Sequence, residues 1–267
     1  AFTPSNRGGF QSPLPSGIIF TNGVYLIQLT SPAQATTLLN SLSFTPIPNL
    51  IPVPNTSNVT FTAFASDTNG LDSVTRTSVV HIASANDAPT LSVGTTTFSI
   101  LDTATATPFT GVSMADVDNS GLQPLTVAVR VSNTNGGFLT VGSSGFASNN
   151  FNYTFTGSPT NATLAVRQLT FVPVANHIPV TLKETNNFTL TVTDGYAPQT
   201  NNAIRVIVTS TNDAPVIDGV SVAHQSVQTG NSVQPFSIVT LRDVDQNDDL
   251  ARTNGQSLSL QVALSGA

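Results

Sequence analysis

Asn86-Asp87-Ala88-Pro89 returns as Asn212-Asp213-Ala214-Pro215, and this recurrence decides the fold. From position 86 to position 212 the spacing is 126 residues, a domain-sized period. The match extends outward in both directions. Upstream of the first copy, Leu42-Ser43-Phe44-Thr45-Pro46 leads to Asn49, Ile51 and Pro52; upstream of the second, Leu169-Thr170-Phe171-Val172-Pro173 leads to Asn176, Ile178 and Pro179. Downstream, Asp116-Val117-Asp118 is matched by Asp243-Val244-Asp245. The chain divides accordingly. Residues 1-86 read as the back part of a repeat, 87-212 as a complete repeat of about seven strands, and 213-267 as a front part. Tail and head together would make one more domain. That predicts a window on a longer array or, alternatively, subunits that complete one another head to tail in a filament.

Hydropathy predicts β-structure throughout. Leu125, Val127, Val129 and Val131 alternate with polar or small residues, as do Phe188, Leu190 and Val192, and Leu258, Leu260, Val262 and Leu264. Period-two alternation sends one face to a core and the other to water. Asn133-Thr134-Asn135-Gly136-Gly137 and its counterpart Ser5-Asn6-Arg7-Gly8-Gly9 read as hairpin turns. Two short helices are expected, Pro32 to Asn40 and Pro159 to Val166. Asp248 to Gln256 has no counterpart in the central repeat and reads as a surface loop.

Composition narrows the function. Charged residues are 8% of the chain, against about 25% in an average domain. The net charge of -6 leaves no basic surface for phosphates, which argues against nucleic acid. Cysteine is absent, so disulfides and thiolate metal sites are excluded. No apolar run reaches the roughly 20 residues of a membrane span, and any export leader is expected outside this stretch. His81, His177 and His224 lie far apart, with His81 expected on a solvent face, so no catalytic or histidine metal centre is expected. Glycosylation patterns at Asn55, Asn58, Asn152, Asn161 and Asn187 are no more frequent than the composition alone provides. Lys183 is the only Lys, too few for a repeating isopeptide staple. Phe64 is expected to face outward. With almost no lysine to guard sheet edges, lateral packing in a fibre is a further expectation.

Thr193-Asp194-Gly195, Pro198, Val206-Ile207-Val208 and Asn212-Asp213-Ala214-Pro215 resemble the close of a cadherin repeat. Such repeats end in an Ala-x-Asp-x-Gly turn, a last strand and an Asp-x-Asn-Asp-Asn-Ala-Pro linker, and carry Asp-x-Asp further into the next domain. The Leu-x-Phe-x-Pro-x-x-Asn segment is similar to bacterial cadherin-like repeats of large secreted adhesins. The resemblance implies an all-β fold of tandem Greek-key β-sandwiches arranged end to end, with Ca2+ at the junctions. Carried over by position, one junction would use Asn86, Asp87, Asp116, Asp118 and Asp194; the next would use Asn212, Asp213, Asp243 and Asp245. Asp67 holds the position of Asp194 in the head and would serve a junction upstream. The chain departs from the pattern at Ser84 and Ser210, which replace the linker's first Asp, and in having Glu184 as its only Glu. Oxygen donors alone suit calcium, although the same residues also favour plain turns. The resemblance implies a non-catalytic, extracellular or cell-surface segment, a calcium-stiffened stalk or fibre. Its partners would be neighbouring repeats, other copies, or a cell-surface or glycan receptor. The alternatives are a carbohydrate-binding sandwich, which the absence of Trp disfavours, and an accessory array of a larger secreted enzyme.

Overall fold

The computed structural model describes residues 6–22, 24–27, 31–219, 225–246 and 258–264. The fold is all-β with two short α-helices. The first segment contains β1 (Gly8–Phe10), β2 (Ile18–Thr21), β3 (Val24–Ile27), α1 (Pro32–Asn40), β4 (Phe44–Pro46), β5 (Thr56–Ala63) and β6 (Arg76–Ala83). These strands pair antiparallel as β1 with β4, β2 with β3, and β5 with β6.

The central segment runs from β7 (Thr90–Ser92) through β8 (Thr97–Leu101), β9 (Ser113–Ala115), β10 (Leu125–Val131), β11 (Gly137–Thr140), β12 (Ala147–Asn149) and β13 (Asn152–Gly157) to α2 (Pro159–Arg167). It continues with β14 (Thr170–Pro173), β15 (Lys183–Thr193), β16 (Gln199–Asn201) and β17 (Arg205–Thr209). That makes eleven strands rather than about seven, the excess being three-residue strands too short to show a period. One sheet has the order β12-β13-β10-β15-β17-β8, with β16 also on β15. β8 runs parallel to β17 and every other pairing is antiparallel. The pairs β7–β9 and β11–β14 lie across a shared core. Met114, Leu139 and Phe171 from that side pack with Val127, Leu190 and Val206 of the larger sheet.

The alternation in β10 and β15 is realised as read, with Leu125, Val127, Val129, Val131, Phe188, Leu190 and Val192 all buried. The helices also start where proline and a Ser cap allow. Ser31 and Ser158 each accept an N–H from the first turn, with Pro32 and Pro159 at the start, where a missing N–H costs nothing. α2 lays Ala162, Ala165 and Val166 on the core, whereas α1 buries none of its residues.

The internal repeat is visible in packing as well as sequence. Phe44 and Phe61 meet edge to face at 5.1 Å, and their counterparts Phe171 and Phe188 at 5.5 Å. β5 and β6 start their ladder at Thr56 opposite Ala83, as β15 and β17 do at Lys183 opposite Thr209. The final segment repeats the β7–β9 pairing as β18 (Val216–Asp218) with β19 (Thr240–Arg242).

Two expectations are corrected. Asn133–Gly137 is not a hairpin turn. β10 pairs with β13 and β15 while β11 pairs with β14, so this turn carries the chain from one sheet to the other. Its counterpart begins at Ser5, which lies outside the described residues, and leads into β1, which pairs with β4. Residues 258–264 are exposed and form no strand, because no sheet edge meets them among the described residues. The Asp248 to Gln256 insertion and His224 lie outside the described residues.

Candidate metal centre

The backbone brings the acidic residues at the first recurrence together. β9 ends at Ala115, so Asp116 starts the turn that follows, and a 3-10 turn over Asp118–Gly121 presents the second carboxylate. β15 ends at Thr193, which places Asp194 in the turn beyond it. Asn86 and Asp87 arrive from the segment after β6. The backbone N–H of Asp87 donates to Asp118 Oδ2 at 2.9 Å, and that of Asp118 donates to Asp116 Oδ1 at 2.9 Å. Asp194 Oδ1 accepts the N–H groups of Tyr196 and Ala197 at 2.8 and 2.9 Å.

Each of these acids thus spends one oxygen on backbone amides. The other oxygen is buried and has no partner in Asp116 (Oδ2), Asp118 (Oδ1) and Asp194 (Oδ2), and so is Asn86 Oδ1. Buried oxygens left unmatched cost about 1–3 kcal/mol each, more when charged. Four in one place need an explanation.

The electrostatics show the same crowding. Burial, followed by repulsion from Asp118, Asp194 and Asp87, holds the Asp116 carboxyl above its ordinary value, against the pull of the Asp118 N–H. Burial also pushes Asp194 up. There the N–H groups of Ala197 and Tyr196 and the neighbouring Asn86 amide outweigh it, and the carboxyl is held below the ordinary value.

The second recurrence repeats this wiring. Asp213 N–H donates to Asp245 Oδ2 at 2.6 Å, Asp245 N–H donates to Asp243 Oδ1 at 3.1 Å, and Asp243 Oδ2 and Asp245 Oδ1 are buried without partners. Asn86 and Asn212 each donate a side-chain N–H to the next carbonyl, that of Asp87 and of Asp213, at 2.9 and 2.8 Å. Asp67 stands apart from both clusters. It is exposed, and its Oδ1 accepts the N–H groups of Asn69 and Leu71, which makes it a turn cap.

Among the described residues, no group of three or more His, Cys, Asp or Glu stands at metal-holding geometry. The residue types present are those that a hard cation takes as ligands. The donors are all oxygen, Asp118, Asp194 and Asp87 stand near enough to Asp116 to repel its charge, and several of their oxygens are buried without a partner. Asn86 and Asp87 follow β6, and Asp116, Asp118 and Asp194 all lie in the central segment.

Sequence reasoning missed Asp102, which is 5% exposed at the end of β8. Its carboxylate accepts the Thr211 hydroxyl at 2.7 Å, the Thr211 N–H at 3.1 Å, the Ser210 hydroxyl at 3.2 Å and the Asn176 N–H at 3.3 Å. Burial raises this carboxyl, but those hydrogen bonds bring it below the ordinary value. Ser210, in place of the linker's first Asp, therefore serves Asp102. Glu184 faces elsewhere, accepting from Asn133 Nδ2 at 2.8 Å with His177 Nδ1 at 3.1 Å from its other oxygen. Beside it, Asn186 is fully buried with neither amide atom partnered. His81 is exposed against Asn58, and Phe64 is 55% exposed, both as read from the alternation.

No family model matches the chain, and no curated protein matches it.

Proposed function

We propose that this chain is a non-catalytic segment of an extracellular repeat protein, in which cadherin-like Greek-key β-sandwiches are joined end to end by calcium-binding linkers. The observation that carries the reading is the pair of matching carboxylate clusters, each built from an Asn-Asp linker and an Asp-x-Asp turn, with buried oxygens left over. The parallel β8–β17 pairing and the β7–β9 pair on the opposite side of the core agree with a sandwich. Asn86 and Asp87 tie the linker to the domain that follows it, and Asp102 anchors Ser210 and Thr211 to the domain that precedes the next linker. A bound Ca2+ would supply the positive charge that the clustered carboxylates lack, setting the linker's direction.

The test is calorimetric titration of the metal-free chain with Ca2+, followed by small-angle scattering in Ca2+ and in chelator. Saturable binding with an increase in maximum dimension on adding Ca2+ is expected. No heat and identical scattering profiles would reduce the clusters to turn residues and end the stalk reading.

A further inference from the structure

The seven strands of the larger sheet hold four charged side chains, Arg130, Lys183, Glu184 and Arg205. Alternation along the strands sorts them by sign. Glu184 shares the inward side of β15 with buried Asn186 and Phe188, whereas Lys183 lies on the opposite side with Thr185, Asn187 and Thr189. Arg130 is exposed between buried Val129 and Val131, and Arg205 is exposed beside buried Val206. The outward positions of the sheet therefore present three cations and no carboxylate, on a chain whose net charge is -6. Among the described residues, none of the three side chains has a hydrogen-bonding or ionic partner. Arg167 differs, because its Nε–H is spent on the Val112 carbonyl at 2.7 Å.

The ladders fix where these cations stand. Arg130 lies opposite Thr189 on one side of β15, and Arg205 lies opposite Asn187 on the other. With strands about 4.8 Å apart and a rise of about 3.4 Å per residue, their Cα atoms are about 12 Å apart. Lys183 continues the row along β15, about 14 Å beyond Asn187. Between the cations lie Asn187, Thr189 and Thr185, whose side chains are likewise without partners among the described residues. We propose that this face binds an acidic polysaccharide of the uronate type. Its carboxylates suit the guanidinium and ammonium groups, and its ring hydroxyls suit the amide and hydroxyls between them. No Phe or Tyr takes an outward position in these strands, so a neutral sugar has no ring to stack on. Nucleic acid fits less well, because duplex DNA carries a charge about every 1.7 Å and meets three widely spaced cations on an acidic chain.

The probe is hexagalacturonate, titrated into the full chain in chelator. No calcium then bridges its carboxylates to the protein, so the result stands apart from the cation reading. Saturable binding is expected, weakening as salt is raised. The fully methyl-esterified hexamer, which keeps the hydroxyls and loses the charge, should not bind. Arg130→Gln, Lys183→Gln and Arg205→Gln should each weaken binding roughly 1.5- to 5-fold, the range of an exposed charge pair, and the triple variant should weaken it roughly tenfold or more. Arg76→Gln, which removes an exposed cation from β6 in the first segment, should leave it unchanged. All four positions are exposed, so the variants keep the core intact, and matching thermal melts check this. Absence of binding, or an affinity unmoved in the triple variant, overturns the proposal. An oligodeoxynucleotide of equal charge that binds as tightly overturns the polysaccharide as the occupant.

Discussion

The backbone N–H of Asp87 donates to Asp118 Oδ2, joining the linker to a carboxylate 31 residues further along the chain. Asp213 and Asp245 make the same bond 32 residues apart. Each Asn-Asp stretch is therefore latched to the segment that follows it by protein atoms alone. A hydrogen bond to a charged group contributes about 1.5–3 kcal/mol. Asp118→Ala should open the latch, and exchange at the Asp87 amide should accelerate by roughly ten- to a hundredfold in the metal-free protein. Residue-resolved hydrogen exchange measures this, and unchanged protection at Asp87 would mean that the bond does not hold the linker.

Asp116 offers a change of sign. Burial and then the charges of Asp118, Asp194 and Asp87 work against its ionised form. A carboxyl whose folded pKa is raised penalises folding above that pKa, and the penalty disappears as pH falls below the unfolded value. In chelator near neutral pH, Asp116→Asn should therefore raise the melting temperature. In Ca2+ the same variant should melt below the wild type, having lost a ligand. Saturating a site at about a hundred times its Kd stabilises by about 2.7 kcal/mol, which the variant would forgo. Thermal melts of both proteins in both buffers decide it. Shifts of one sign in both buffers would remove the cation from the account.

Asp102 behaves in the opposite way with pH. Although burial acts against it, hydrogen bonds from Thr211, Asn176 and Ser210 prevail and lower its carboxyl. Its stabilisation is present above the ordinary carboxylate value of 3.8 and is lost as pH falls through the lower folded value. Asp102→Ala leaves buried donors without an acceptor and should cost at least about 2 kcal/mol at neutral pH. Urea titrations of variant and wild type from about pH 7 to pH 3 should show the gap narrowing only at the acid end. A gap independent of pH would assign the loss to packing rather than charge.

The strands that build the core could be read because Leu125 to Val131 and Phe188 to Val192 obey a strict period of two. The acidic clusters could be read because their residues recur in register. Other features depend on partners far away in sequence. Asn133 to Gly137 has turn composition, but composition does not say which sheet receives the strand that follows. Asp102 is a lone carboxyl whose partners lie up to 109 residues away. Asn186 occupies an inward position where the alternation calls for an apolar side chain. Residues 258–264 have the pattern of a strand, but a strand also needs an edge, and no described edge meets them. Register, too, is set in three dimensions: Phe10 lies opposite Phe44, whereas Leu139, not Phe138, lies opposite Phe171. The Gly-Gly-Phe matches of the two repeats are therefore offset by one residue in their ladders.

That offset makes Gly137 a sensitive position. Its φ is ordinary, and what it lacks is room: a Cβ there would collide with the Phe171 ring and meet the Val172 carbonyl at 2.6 Å. Phe171 is fully buried and packs edge to face on Phe188, so it has nowhere to move. Gly137→Ala should destabilise the domain by about 1–3 kcal/mol through overpacking. Gly142, at φ +48 with nothing within 4 Å of a Cβ, is the control, since its alanine variant bears backbone strain without collision. Pairing each variant with Phe171→Leu separates the two causes in urea denaturation. The smaller side chain should rescue much of the Gly137→Ala loss and none of the Gly142→Ala loss. Equal coupling in both pairs would show that the close approach of Gly137 to Phe171 is not what fixes the β11–β14 register.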